Sequence, residues 1–332
     1  MAQGDKLSSY VRGILERDRA SADTLESLSA PQSGAESAGG TSLQPEHLDS
    51  LRKLETGQDL TDQDRARIEA VVLPNGLRPA FDVVRDSFEP LPAAWQDLND
   101  RRAQFEPLIK GIGRVNLTGH PSLRFAGTAF VVAPDVLLTN RHVADFFIER
   151  SAAGLQFKPG LSSALDFKQE VGIADAVPLR ISAPIVILET WDAAILRVEP
   201  LPAGVTPLPL AGSAPPDVEG RLATVVGYPA MDPASDLIQQ IQIFRGVFDK
   251  KRLLPGRFMG LRDTLSFGRT VTALAHDCTT LGGNSGSALI DIASMTVVGL
   301  HFKGEHLVAN YSVPTWELAK EGQLRTAGVA FV

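Results

Sequence analysis

The stretch with the most chemistry in it is Leu281-Gly-Gly-Asn-Ser-Gly-Ser-Ala-Leu-Ile290, a serine set among glycines. Glycine lets a backbone bend tightly, approach a ligand closely and aim free amides at one point. Ser285 is the candidate nucleophile. A serine hydroxyl is weak alone and needs a base to take its proton and a carboxylate to orient that base. Both lie upstream. Leu137-Leu-Thr-Asn-Arg-His-Val143 carries His142 behind a strand-like run, and Trp191-Asp-Ala-Ala-Ile-Leu196 sets Asp192 at the mouth of an apolar one. An ionised carboxylate among apolar residues is costly unless it is hydrogen-bonded, so Asp192 requires a partner. Asp166 and Asp175 are rivals by position but lack the flanking apolar runs.

With these residues in the order His, Asp, Ser, the chain resembles the trypsin/chymotrypsin-like serine peptidases, and among them the bacterial glutamyl-endopeptidase-like (V8-like) branch. Five pieces carry the resemblance: Gly127-Thr-Ala-Phe-Val-Val132, Leu138-Thr-Asn-Arg-His-Val143, Asp192-Ala-Ala-Ile-Leu196, Gly227-Tyr-Pro229, and Gly282-Gly-Asn-Ser-Gly-Ser287 with Gly299-Leu-His-Phe302. The resemblance implies that His142 is the general base, Asp192 its orienting carboxylate and Ser285 the nucleophile. It also implies that Gly283 and Ser285 supply the oxyanion-hole amides. Thr279 or Thr280 and His301 fall where that branch binds an acidic side chain before the scissile bond. Phe302, Lys303 and Gly304 fall where an edge strand pairs with the substrate backbone. Three positions depart from the pattern: Leu281 is an extra residue, Lys303 stands in place of a glycine, and Asn284 replaces the aspartate of the animal digestive enzymes.

The elements that must hold these residues are short β-like runs punctuated by Gly, Pro and Asp from Arg114 onward. Residues 126–133 and 136–143 read as a hairpin around Pro134-Asp135 that delivers His142 to a strand end. Further strands are expected at 184–190, 193–198, 221–227, 240–248, 269–274, 286–290, 296–302 and 307–313. The resemblance implies a mainly β domain over 105–332, built from two six-stranded antiparallel barrels with the site between them. Ahead of it, residues 1–28 carry apolar positions at helical spacing (Leu7, Tyr10, Val11, Ile14, Leu15) and read as an amphipathic helix. Residues 29–42 are Ser-, Gly- and Ala-rich and read as a flexible linker. Residues 43–104 read as a helical pair followed by a Pro-punctuated connector along the protease surface. This α-helical extension is expected to recruit a protein partner or restrain the cleft.

Composition narrows the setting. The chain has 332 residues, 44% hydrophobic and 21% charged, and a net charge of −7 that gives no support for binding nucleic acid or an anionic membrane. Its single cysteine, Cys278, rules out an internal disulfide and favours a reducing compartment. The first thirty residues have charges spread through them and no apolar core, and no run approaches 18 apolar residues, so a soluble, cytoplasmic protein is expected, and the resemblance implies a bacterial one.

Other chemistries fit less well. His276, His301 and His306 do not repeat a metal-ligand spacing, so no metal and no other cofactor is expected. An α/β-hydrolase elbow needs a second glycine where Ser287 stands. The expected function is hydrolysis of protein or peptide substrates by a serine endopeptidase, with an acidic-residue preference implied by the resemblance. The alternatives are an esterase and a protease-fold module that captures peptides with slight or conditional turnover.

Overall fold

The computed structural model describes residues 79–173, 176–231, 237–305 and 309–332. The expected helix at 1–28, the linker at 29–42 and the helical pair before residue 79 lie outside the described residues, as do Asp175 and His306. Ala80–Gly304 with Ala309–Val332 forms one compact unit. Residues 80–104, read from the sequence as a connector, are packed into that unit. They contribute β1 (Phe81–Asp82) and the helices α1 (Gln96–Asp100) and α2 (Arg102–Lys110). Phe88, Leu91, Trp95, Leu98 and Phe105 are all buried. Pro90 and Pro92 break regular structure but leave the apolar residues between them free to pack.

The near-continuous apolar runs after Ile112 form a closed antiparallel barrel. Its strands are β2 (Ile112–Thr118), β3 (Phe125–Ala133), β4 (Val136–Thr139), β7 (Ser162–Asp166), β8 (Pro178–Ile187) and β9 (Ala194–Val198), in the order β2-β3-β4-β9-β8-β7. A separate hairpin, β5 (Ile148–Ser151) with β6 (Gly154–Phe157), follows the helix α3 (Arg141–Ala144). The hairpin expected around Pro134-Asp135 is present, with Phe130 opposite Leu138. Its second strand ends at Thr139, so His142 sits on the helical turn that follows rather than on the strand itself. Inside the barrel, Val115, Val131, Leu137, Phe147, Leu165, Ile181 and Leu196 make the core.

The second half contains β10 (Leu222–Gly227), α4 (Leu237–Phe244), β11 (Arg252–Ser266), β12 (Arg269–His276), β13 (Ala288–Asp291), β14 (Thr296–Glu305) and β15 (Ala309–Pro314), closed by α5 (Thr315–Leu318) and α6 (Gly322–Thr326). Its sheet has seven strands rather than six, in the order β1-β11-β10-β13-β14-β15-β12, and β11 also pairs with β12. The seventh is β1, whose Phe81 lies opposite Leu253.

Two expectations need correction. The strand placed at 240–248 is helical over Leu237–Phe244: the alternating Ile241 and Ile243 resemble a strand, yet Gln240 and Phe244, one helical turn apart, are the buried pair. The longest strand, β11, was absent from the sequence reading because Pro255, Gly256 and Gly260 interrupt it. The sheet accommodates them: Pro255 pairs opposite Thr224, and the register shifts between Phe258 and Leu261, where Gly260 has φ +78°. Among the described residues, no helix is long and apolar enough to cross a membrane.

Candidate active site

His142 meets Asp192 twice. Its ring Nδ1 lies 2.6 Å from Asp192 Oδ2, and its backbone N–H donates to Asp192 Oδ1 at 3.0 Å. Asp192 is buried, and Asn140 Nδ2 donates to its carbonyl at 2.8 Å, tying the bend before β9 that carries the carboxylate to the turn that carries the imidazole. A carboxylate oxygen only accepts, so Nδ1 carries the proton in this pair and Nε2 is left as the acceptor a general base needs. The side chain of His142 is 35% exposed, enough for a substrate to reach it.

The Ser285 loop closes on this pair at Gly127. A Cβ added there would lie 2.7 Å from the carbonyl of Ser285 and 2.9 Å from Val143 Cγ2, so the close approach of the loop to the His142 helix requires glycine. Gly286 is more constrained still: its φ is +89°, and a Cβ would meet the Thr128 carbonyl at 1.9 Å. Ser285 makes no hydrogen bond to His142 in this structure.

Peptide orientations around Ser285 follow from the bonds that fix their carbonyls. Ala230 N–H donates to Gly282 O at 2.6 Å, and Ser287 N–H donates to Asn284 O at 2.9 Å. In trans peptides the N–H points opposite to the C=O, so the amides of Gly283 and Ser285 face away from those donors. Among the described residues, neither amide donates to a protein acceptor. Gly283, at φ +83°, occupies backbone space that ordinary side chains avoid.

Thr128 is a functional residue that the sequence reading did not single out. Its N–H donates to Ser285 O at 2.9 Å and its hydroxyl to Gly283 O at 2.8 Å, while its own carbonyl accepts from Thr139 Oγ1 at 2.7 Å. It is fully buried and clamps the loop on both sides of Asn284. The signal was a hydroxyl residue directly after Gly127, inside an otherwise apolar strand. Asn284 itself is buried, and among the described residues its side-chain amide has no hydrogen-bond partner.

Thr280, Gly304 and Asn310 come together downstream of the loop. Thr280 Oγ1 donates to Asn310 Oδ1 at 2.7 Å, Asn310 Nδ2 donates to Cys278 O at 2.5 Å, and a Cβ on Gly304 would lie 2.7 Å from Asn310 Oδ1. Asn310 also went unremarked in the sequence, since it lies far along the chain on a strand of its own. Thr279 and Phe302 are buried, and so is Cys278. Lys303 reaches sideways, its Nζ 3.2 Å from Thr264 Oγ1 on β11. Past Leu300, the β13 side of β14 carries the bonds between His301 and the Ser285 loop: Gly286 N–H to His301 O and His301 N–H to Ser287 O, both 2.9 Å.

His301 is buried, with Nδ1 3.2 Å from His276 Nε2. Burial, reinforced by the neighbouring His142, pushes its pKa down to about 3, so the ring is neutral under ordinary conditions. Asp166, the positional rival of Asp192, serves elsewhere: it accepts from the backbone N–H groups of Lys168 and Val177 at 3.0 and 3.2 Å. Among the described residues, no three His, Cys, Asp or Glu side chains group as metal ligands.

The chain is similar to several known proteins. The sequence profile of the trypsin-like peptidase domain matches residues 127–300. A curated relative from Lysobacter enzymogenes, "Probable serine protease FE772_23060", is 28% identical over 299 residues, covering 79% of this chain and 76% of the relative. Among solved structures, the active form of the Rv3671c protease from M. tuberculosis aligns with a TM-score of 0.48 and 20% identity, over 75% of this chain and 93% of that one. Deg5 aligns with a TM-score of 0.48 and 17% identity, over 73% of this chain and all of that one (100%). With more than half of its length matched, from the Gly127 motif through β14, the chain belongs to the trypsin-like peptidase domain family.

Proposed function

We propose that the protein is a serine endopeptidase in which His142, Asp192 and Ser285 act as the triad and the amides of Gly283 and Ser285 form the oxyanion hole. The observation that carries this reading is the two-point contact of Asp192 with His142, which fixes the tautomer that leaves Nε2 free to accept. In the first step His142 Nε2 takes the Ser285 proton as Oγ attacks the scissile carbonyl, and the developing oxyanion is met by the two outward-facing amides. The imidazolium then gives its proton to the leaving amine, and water hydrolyses the acyl-enzyme by the same path. The pairing of β11 with both β10 and β12 supports reading the second sheet as the second barrel of a trypsin-like pair, with β1 added at its edge. A fluorophosphonate probe tests the reading: stoichiometric labelling of the folded wild type, absent in Ser285→Ala, is expected, and an unlabelled folded wild type would sink it.

Kinship to the glutamyl-endopeptidase branch, and with it a preference for an acidic residue before the scissile bond, belongs to the same proposal. A neutral His301 can serve it as a hydrogen-bond donor and not as a cation, and it does so if His276 Nε2 donates to His301 Nδ1, leaving the His301 proton on Nε2. Thr280 and Asn310 are the neutral polar groups that would complete such a pocket. His301→Ala is then expected to lower kcat/KM for Glu substrates more than for Ala substrates; equal losses would make His301 structural. The absence of a hydrogen bond from Ser285 to His142 favours a second reading, a peptide-capturing module with conditional turnover. Catalytic hydrogen bonds often tighten only when substrate binds. The same labelling experiment separates the two. A cytoplasmic setting and a partner-recruiting role for the segment before residue 80 complete the proposal.

A further inference from the structure

A groove of about 510 Å³ lies beside the candidate triad. Its walls come from four elements: the His142 helix (Arg141, Asp145), the β5–β6 hairpin (Glu149, Arg150), the segment leading to Asp192 (Glu189) and the tip of the β11–β12 hairpin (Phe267, Arg269). The tip is unusual. Ser266 pairs with Arg269, so Phe267-Gly268 is a two-residue turn, with φ of +47° and +74°. Such turns favour Asn-Gly, and a bulky residue in the left-handed region is strained. Phe267 is nevertheless there, 47% exposed, with its ring 4.2 Å from the guanidinium of Arg141, the neighbour of His142. An aromatic kept against the preference of its own turn points to a contact made by the tip.

The charges say what the groove can hold. Three arginines face three carboxylates, but Asp145 is engaged by Arg141 at 3.7 Å and Glu149 accepts from Gln156 at 2.9 Å. Burial also raises the Asp145 carboxyl above its ordinary range, Arg141 only partly offsetting it. Among the described residues, the side chains of Arg150 and Arg269 make no ion pair or hydrogen bond. That leaves the guanidinium groups of Arg150 and Arg269 free to take a ligand's carboxylate, facing Glu189 and a Glu149 whose charge the neutral Gln156 does not cancel. Position along the substrate follows from Lys303: it stands on the segment proposed to pair with residues before the scissile bond, and its Nζ contacts Thr264 on the stem of this same hairpin.

We propose that this groove is a second substrate subsite, which takes an acidic side chain two to four residues before the scissile bond; the assignment rests on the peptidase reading above. One charge pair in a half-exposed groove is worth up to about fivefold in affinity. The test uses the full chain and peptide pairs that differ only by Glu or Gln at each of those positions. Cleavage is measured with wild type and Arg269→Glu, and binding by fluorescence anisotropy with Ser285→Ala and Ser285→Ala/Arg269→Glu. A Glu preference at one position, lost or inverted by the charge reversal in both assays, is expected. Equal binding of Glu and Gln peptides, or a preference untouched by Arg269→Glu, would overturn the inference while continued cleavage kept the peptidase reading. Selective binding with no cleavage would do the reverse, removing the peptidase reading and leaving the groove as a peptide site.

Discussion

Asp192 uses one oxygen for the backbone N–H of His142 and the other for its ring, and this division makes Asp192→Asn informative. The backbone N–H can only donate, so the asparagine oxygen must stay with it and the NH₂ must face Nδ1. Nδ1 then has to accept, the ring proton moves to Nε2, and the base is lost without any change in shape. A fall in kcat of about 10⁴-fold is expected for Asp192→Asn. His142→Ala and Ser285→Ala should fall further and should not add in the double variant, because triad members act as a unit. Peptide turnover near that of wild type in any of the three refutes the triad. Because His301 stays neutral down to about pH 3, it should add no step to the pH–rate profile above that pH, and the shape of the profile should survive in His301→Gln. At this scale the sequence was legible where chemistry demands a residue type: Ser285, His142 and Asp192 stand out by side chain and flanking pattern. Thr128 and Asn310 did not, since a buried hydroxyl or amide acquires its meaning from bonds to residues far along the chain.

Elements hold these residues by a few directional contacts rather than by bulk packing, and Thr128 on β3 is the clearest case. Its hydroxyl holds the Gly283 carbonyl and accepts from the Tyr228 N–H at 3.3 Å. Thr128→Val keeps shape but removes both bonds. The Gly283–Asn284 peptide, which joins the two amides proposed for the oxyanion hole, then loses its anchor, and kcat should fall about fivefold to tenfold with KM little changed, the signature of a contact that matters most in the transition state. Thr128→Ser should restore most of the loss; a Val variant with unaltered kcat would show that the loop holds itself. The strands were legible where a short, nearly continuous apolar run is bounded by turn residues, as in β3, β4, β9 and β10. The sequence misled at α4, where Ile241 and Ile243 imitate a strand, and at β11, where Pro and Gly signal a break that the pairing with β10 and β12 overrides. Local pattern reports local preference, and these two segments take their state from partners elsewhere in the fold.

At the scale of the whole molecule, the segment before the first barrel belongs to the enzyme unit because it neutralises two buried cations beside and on β11. Lys251 is fully buried, with Nζ 3.1 Å from Ile109 O, 3.5 Å from Glu170 and 3.8 Å from Asp86, and Lys168 also pairs with Asp86. Arg252 pairs with Asp82 and donates to the carbonyls of Phe244 and Val247 at 2.9 and 2.8 Å. Burial lowers the pKa of Lys251 from its ordinary 10.5 to about 8, with Glu170 and Asp86 opposing the fall. Between those values the unfolded chain binds the extra proton, so this residue makes stability rise with pH from about 8 to 10. In urea unfolding, the stability of wild type minus that of Lys251→Met should therefore grow from pH 7.5 to pH 9.5; a flat difference would mean that the site is hydrated. The same cluster decides where the chain can be cut. A boundary near Gln104 looks natural in the sequence, where Pro79, Pro90 and Pro92 read as a connector. A cut there removes Asp82 and Asp86 and bares the pockets of Phe88, Leu91, Trp95 and Leu98. Breaking a buried ion pair alone costs about 3–5 kcal/mol, a large share of the 5–15 kcal/mol that holds a domain together. A chain starting at Ala80 keeps every one of these contacts. It should melt cooperatively and cleave a small peptide at the rate of the full chain, whereas a chain starting at Gln104 should be unfolded or insoluble. Cooperative melting of the chain cut at Gln104, at the same temperature, would show that residues 80–103 are dispensable to the fold. Faster peptide cleavage by the chain starting at Ala80 would instead identify the removed segment as a restraint on the cleft, and slower cleavage confined to protein substrates would identify it as a recruiter.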